Sequence, residues 1–117
     1  MRKTENPSSS DLVSEFLRIS LAQYEAMEKG EIYKYNRLIK KIPIIKQLLK
    51  SMPGDQRHLL LALYSHQNIF VRLQSAQVTK DIAPSAAKRI FEEVMASRIY
   101  PYAADAAESL RNLEGKA

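Results

Sequence analysis

The large apolar residues Ile32, Tyr35, Ile39, Ile42, Ile45 and Leu49 advance by 3, 4, 3, 3 and 4 positions, and every charge interleaved with them is positive. That is the period of one helical face. A helix with a single apolar face is stable in water only when that face is covered by another element. The chain therefore has to fold as helix packed on helix. Pro43 sits inside this pattern; it removes one backbone donor and clashes with the carbonyl of Ile39, which predicts a kink or a break there.

The rest of the chain reads the same way. Residues 1–9 are polar and aperiodic, carry Pro7, and are expected to be a flexible lead whose serines offer N-caps to a helix starting near Ser10 or Asp11. Val13, Phe16, Leu17, Leu21 and Tyr24 mark the apolar face of this first helix, and Gly30 stops it. The second helix runs from about Ile32 to Ser51. Met52-Pro53-Gly54-Asp55 is a turn in which Gly54 is free to take a left-handed conformation and Asp55 caps the next helix. This third helix, from Gln56 to about Ser65, is apolar nearly all round, through Leu59 to Leu63, and is expected to be the central one.

Asn68 caps a fourth helix holding Val71, Leu73, Ala76 and Val78. Ala83-Pro84-Ser85 opens a fifth through Ile90, Phe91 and Val94, and Tyr100-Pro101 opens a sixth from Tyr102 to about Leu113, closed by Gly115. Connections of a few residues make consecutive helices antiparallel neighbours. The expected fold is all-α, a single domain over residues 10–114 built as three helical hairpins, with 115–117 as a tail.

Three glycines and five prolines in 117 residues, 45% of them hydrophobic, agree with an all-helical chain that can bury a core of its own. The absence of cysteine excludes disulfides, thiolate metal sites and cysteine nucleophiles, and is compatible with a cytoplasmic location. Lys40, Lys41, Lys46 and Lys50 interrupt the most hydrophobic region, so no membrane span is expected. The first residues lead into an amphipathic segment with Asp11, Glu15 and Arg18 rather than an apolar stretch, so no secretory leader is expected.

At an offset of 31 residues Val71 falls on Tyr102, Ser75 on Ala106, Ala76 on Ala107 and Thr79 on Leu110. A pair of small residues followed by a larger one lets two helices approach closely. The segment Asn68-Ile69-Phe70-Val71-Arg72-Leu73-Gln74-Ser75-Ala76 resembles the opening of the second helix of a HEAT-type repeat. More widely, Tyr35-Asn36-Arg37-Leu38, the Asn68 to Arg72 turn, Ala83-Pro84-Ser85-Ala86-Ala87 with Glu92-Glu93, and Ala96-Ser97-Arg98 resemble a family of small bacterial HEAT-like proteins of unknown function. The resemblance covers most of residues 11–112. It implies a short right-handed α-α superhelix of about six helices and carries over no catalytic residue. Ala103 stands where the repeat repeats Arg72, and the first hairpin lacks the motif.

Catalysis requires convergent groups, and the inventory is thin. His58 and His66 are the only histidines and lack the spacing of a helical zinc site; a helix-end dipole would favour a protonated ring at His66. Glu92 and Glu93 are adjacent and point to different sides of a helix. No glycine-rich phosphate loop and no Gly-x-Ser-x-Gly occurs. No catalytic residue, cofactor or metal is expected, and an enzyme ranks third among the readings.

Charge placement is more informative. Residues 32–51 carry Lys34, Arg37, Lys40, Lys41, Lys46 and Lys50 without one acid, more than the net +5 of the whole chain. Lys34, Arg37 and Lys41 are spaced 3 and 4, giving a basic stripe with Lys40 beside it. Either it is a solvated face paired with acids of the first helix such as Glu25 and Glu28, or it is a binding strip for an acidic protein surface or for phosphates. Tyr33, beside Lys34 and Arg37, and Tyr100 and Tyr102, flanking the last turn, are interface candidates; Arg72 is a candidate too, although in HEAT-type repeats it bonds to a neighbouring hairpin.

The leading expectation is a non-catalytic protein-binding module, most concretely an immunity-type inhibitor of a cognate toxin with an acidic surface. The alternative is a nonspecific nucleic-acid-binding solenoid using the basic helix.

Overall fold

The structure, a computed structural model, describes residues 7–115. Of the expected lead, residues 1–6 lie outside the described residues, as do 116 and 117 of the tail. Ser8 already belongs to the first helix: its Oγ accepts from the Asp11 N–H at 3.0 Å while Asp11 Oδ2 accepts from the Ser8 N–H at 3.1 Å. This reciprocal cap satisfies two donors that would otherwise be orphaned. It sets α1 at Ser9–Lys29, slightly earlier than the sequence suggests. Gly30, at φ 72°, takes the left-handed turn that ends it.

All described regular structure is helical. α2 spans Ile32–Ile39 and α3 spans Ile42–Ser51, separated at Lys40 and Lys41. Pro43 lies in the first turn of α3, where its missing N–H costs nothing. The expected interruption is thus a break. The buried seam differs from the one periodicity selects. α1 buries Leu12, Phe16, Ile19, Gln23 and Ala26, while Val13, Leu17 and Tyr24 are half-buried and Leu21 is exposed. Apolar residues sit at both sets of positions, and a line that includes Gln23 loses on hydrophobicity although it wins on packing. Likewise Leu38, Ile42, Ile45 and Leu49 are buried, Tyr35 is half-buried, and Ile32 and Ile39 are exposed. Leu38 and Ile39 both stand at helical spacing from Tyr35; in the fold it is Leu38 that is buried.

After α3, Pro53 and Gly54 (φ 79°) stand at the centre of a turn closed by the Asp55 N–H to Met52 carbonyl bond at 2.9 Å, the residue signature of type II. Gln56–Ser65 then forms a 3₁₀-helix, not the α-helix expected. Its buried side chains Arg57, Leu60 and Leu63 recur every three residues, matching the three residues per turn of that helix. Leu59 and Leu61 are only half-buried and Ala62 is exposed, so one stripe rather than the whole circumference is covered.

The chain condenses into two compact units, Met1–Leu59 and Leu60–Ala117, with the border inside this segment. In the first unit α2 and α3 pack on α1 and touch each other. The second holds α4 (Ile69–Thr79), α5 (Pro84–Ser97) and α6 (Tyr102–Glu114). Nine of the eleven residues of α4 are buried, so α4 is the enclosed helix that the sequence assigned to Gln56–Ser65.

Asn68 caps α4 as expected, its Oδ1 accepting from the N–H groups of Phe70 and Val71 at 2.9 and 3.1 Å. α5 packs on both α4 and α6, which also meet each other. Their mutual contacts fix a direction. The Phe70 and Tyr102 ring centroids lie 5.7 Å apart, and Gln77 Nε2 donates to Ser109 Oγ at 3.2 Å. Start meets start and end meets end, so α4 and α6 run side by side in the same sense. Ser75, Ala76, Ala103 and Ala106, all buried, let them approach.

Candidate interaction surface

The segment Ile32–Ser51 packs on α1 through both α2 and α3. With Leu38, Ile42, Ile45 and Leu49 turned inward, the charges of α2 and α3 are left outside: Arg37, Lys40, Lys41 and Lys50 are exposed and Lys34 and Lys46 are half-buried. Among the described residues none of these six cations makes an ion pair. Glu25, expected as a partner, bonds instead to Lys29 of its own helix at 3.1 Å.

Two acids that feel the charge of the strip, Glu15 and Asp55, are bonded to arginines of their own segments. Glu15 sits below the usual carboxylate range chiefly through its hydrogen bond from Arg18, with smaller pulls from the charges of Arg18 and of Lys41. Asp55 is held at about 2, first by the side-chain hydrogen bonds of Arg57 at 2.6 and 2.8 Å, and least by the charge of Lys50. The strip therefore keeps an uncompensated positive field at its surface.

Large apolar side chains share this outer surface. Tyr33 is 89% exposed, Ile44 61% and Leu48 43%, with Ile32 and Ile39 also exposed. Ile44 and Leu48, four residues apart, form a one-turn ridge on α3 away from its buried seam. This pair is absent from the candidates that periodicity selects. Its signal is a second set of apolar residues at helical spacing beside the stronger first set.

The remaining candidates scatter. Tyr100 is exposed in the α5–α6 connection, whose Tyr100–Pro101 peptide is cis. Tyr102 is only 2% exposed and packs on Phe70, so its side chain belongs to the core rather than to a contact surface. Arg72 is half-buried and donates through Nη1 to the carbonyls of His66 and Gln67 at 2.9 and 3.3 Å, tying down the connection ahead of its own helix rather than bonding to a neighbouring hairpin.

Neither histidine is presented to a ligand through Nδ1. His58 Nδ1 lies 3.1 Å from the Asp55 carbonyl, and His66 Nδ1 accepts from the Asn68 N–H at 2.9 Å. The Tyr64 hydroxyl bonds Thr79 Oγ1, which donates to the Ser75 carbonyl at 2.8 Å, and burial pushes Tyr64 up. Asp105 is also pushed up, by burial and then by Glu108. Glu92 and Glu93 are both exposed. Among the described residues no three His, Cys, Asp or Glu side chains group as metal ligands, and no helix is long and apolar enough to cross a membrane.

Residues 10–114 match the family described as Domain of unknown function (DUF2019). The chain belongs to this family. Among solved structures it is similar to the protein RPA1889 from Rhodopseudomonas palustris CGA009, at 33% identity and a TM-score of 0.91, over 98% of this chain and 95% of that one. No curated protein matches it.

Proposed function

We propose that this protein is a non-catalytic protein-binding module, acting in the cytoplasm, whose α2–α3 surface receives an acidic face of its partner. The observation that carries the reading is the set of six cations on α2, α3 and their joint, none of which makes an ion pair among the described residues. An opposite potential on a partner would steer encounter and fix orientation, and would make binding sensitive to salt. The side-by-side α4 and α6 support a HEAT-like stacking of hairpins, an architecture that offers ridged surfaces for partners. Small bacterial HEAT-like proteins include immunity proteins, and by that likeness the most concrete form of the proposal is an inhibitor of a cognate toxin. A basic inhibitor suits an acidic target better than a basic nuclease. The second reading, nonspecific nucleic-acid binding, is favoured by the same strip and by the pI of about 9.5.

The test is affinity capture from lysate of the encoding organism, at low and moderate salt and with and without nuclease, beside a Lys34→Glu/Arg37→Glu/Lys41→Glu variant. One protein retained after nuclease and lost with the variant is the expected result. Nucleic acid released at moderate salt would support the second reading. Identical capture by wild type and variant would remove both.

A further inference from the structure

Resting on that reading of the α2–α3 strip, we infer that its occupant is an acidic amphipathic helix, which lays its apolar face on the Ile44–Leu48 ridge and its carboxylates against the lysines at either end. Two independent features meet here. The cations supply an uncompensated field, and the ridge supplies exposed aliphatic surface between Lys40 and Lys41 at one end and Lys50 at the other. Lys41, Ile44 and Leu48 are spaced 3 and 4, so they share one stripe of α3 and of the joint that precedes it.

The ridge spans a single helical turn and the lysines bracket about 15 Å of helix axis. A helical partner matches both dimensions: its side-chain grooves accept a ridge of this spacing, and acids about three turns apart reach both ends.

Other occupants fit less well. A second copy docked through the same face about a two-fold axis would set six cations against six. Nucleic acid offers phosphates to the lysines but nothing to cover Ile44 and Leu48. A lipid surface would need a continuous apolar face, whereas Gln47 and Ser51 flank the ridge, and the richer face of α3, formed by Ile42, Ile45 and Leu49, is buried.

The test uses the full chain and four fluorescent probes at low and moderate salt: a synthetic glutamate-rich helix with a leucine stripe, the same composition with the stripe scrambled, a short DNA duplex, and vesicles rich in phosphatidylserine. The protein is compared with an Ile44→Ser/Leu48→Ser variant and with the Lys34→Glu/Arg37→Glu/Lys41→Glu variant, each first checked for an unchanged melting curve. The striped helix should bind best, with binding about tenfold weaker for the scrambled peptide and about tenfold weaker for the serine variant.

Equal binding of both peptides, unaffected by the serine changes but lost on charge reversal, would overturn the inference and leave the acidic-partner reading standing. Tightest binding to the duplex or to the vesicles would overturn the inference in favour of that class. Binding of no probe would overturn both.

Discussion

Two positions place the same backbone conformation under opposite residues. Gly30 ends α1 at φ 72°, and Arg98 ends α5 at φ 58°. Left-handed backbone costs an L-residue about 1–2 kcal/mol, a penalty glycine does not carry. Glycine gives back about 0.5–1 kcal/mol through the greater freedom it loses on folding. At Gly30 an added Cβ meets no atom within 4 Å, so Gly30→Ala isolates the backbone cost without a clash. The expected loss is about 1 kcal/mol, the difference between those two magnitudes.

Arg98→Gly should gain by the same difference, reduced by about 0.3 kcal/mol for the cation removed from a helix C-terminus, leaving about 0.7 kcal/mol. The two variants are compared by urea unfolding followed at 222 nm, and by thermal melts in which 1 kcal/mol corresponds to about 4 °C for a chain of this size. At high salt the cation contribution fades and the Arg98→Gly gain should rise. A neutral Gly30→Ala, or a destabilising Arg98→Gly, would refute the assignment of these two turns.

Asn68→Ala removes the acceptor of the Phe70 and Val71 N–H groups and should cost about 1–2 kcal/mol in urea unfolding. Phe91, fully buried on α5, should cost about 3–5 kcal/mol as Phe91→Ala, seen as a lowered urea midpoint with helical content retained in water. Asp55 titrates at about 2, below its value of 3.8 in a free chain, so its contribution to stability is complete above about pH 4 and is lost as pH falls through 2. Asp55→Asn, which tolerates the φ of 51° at that position, should flatten the fall of the urea midpoint over that interval and leave the slope above pH 5 unchanged.

The punctuation of the fold was legible in the chain itself. Gly30, Pro43, Gly54, Asn68 and Pro84 each restrict backbone geometry locally, and each stands where an element starts, stops or breaks. The choice among neighbouring seams was not legible, because Leu12 and Val13, or Leu38 and Ile39, satisfy the same period and only the packed partner distinguishes them. The 3₁₀ geometry of Gln56–Ser65 was hidden for a related reason: Leu59 to Leu63 fits any period, and burial every third residue becomes visible only in the fold. On the surface, the lysine strip could be read from the absence of acids, whereas exposure of Ile44 and Leu48 depends on which face of α3 the core takes.

α2 has eight residues, fewer than an isolated helix needs to persist in water. Lys34 and Arg37 therefore hold their positions only while α1 supplies a floor beneath them. A peptide cut from residues 32–51 would keep every positive charge and lose their spacing, and so would be a poor competitor in the binding proposed above. Conversely, changes on the hidden side of α1 can shift the outward pattern of charge while leaving each charged residue in place.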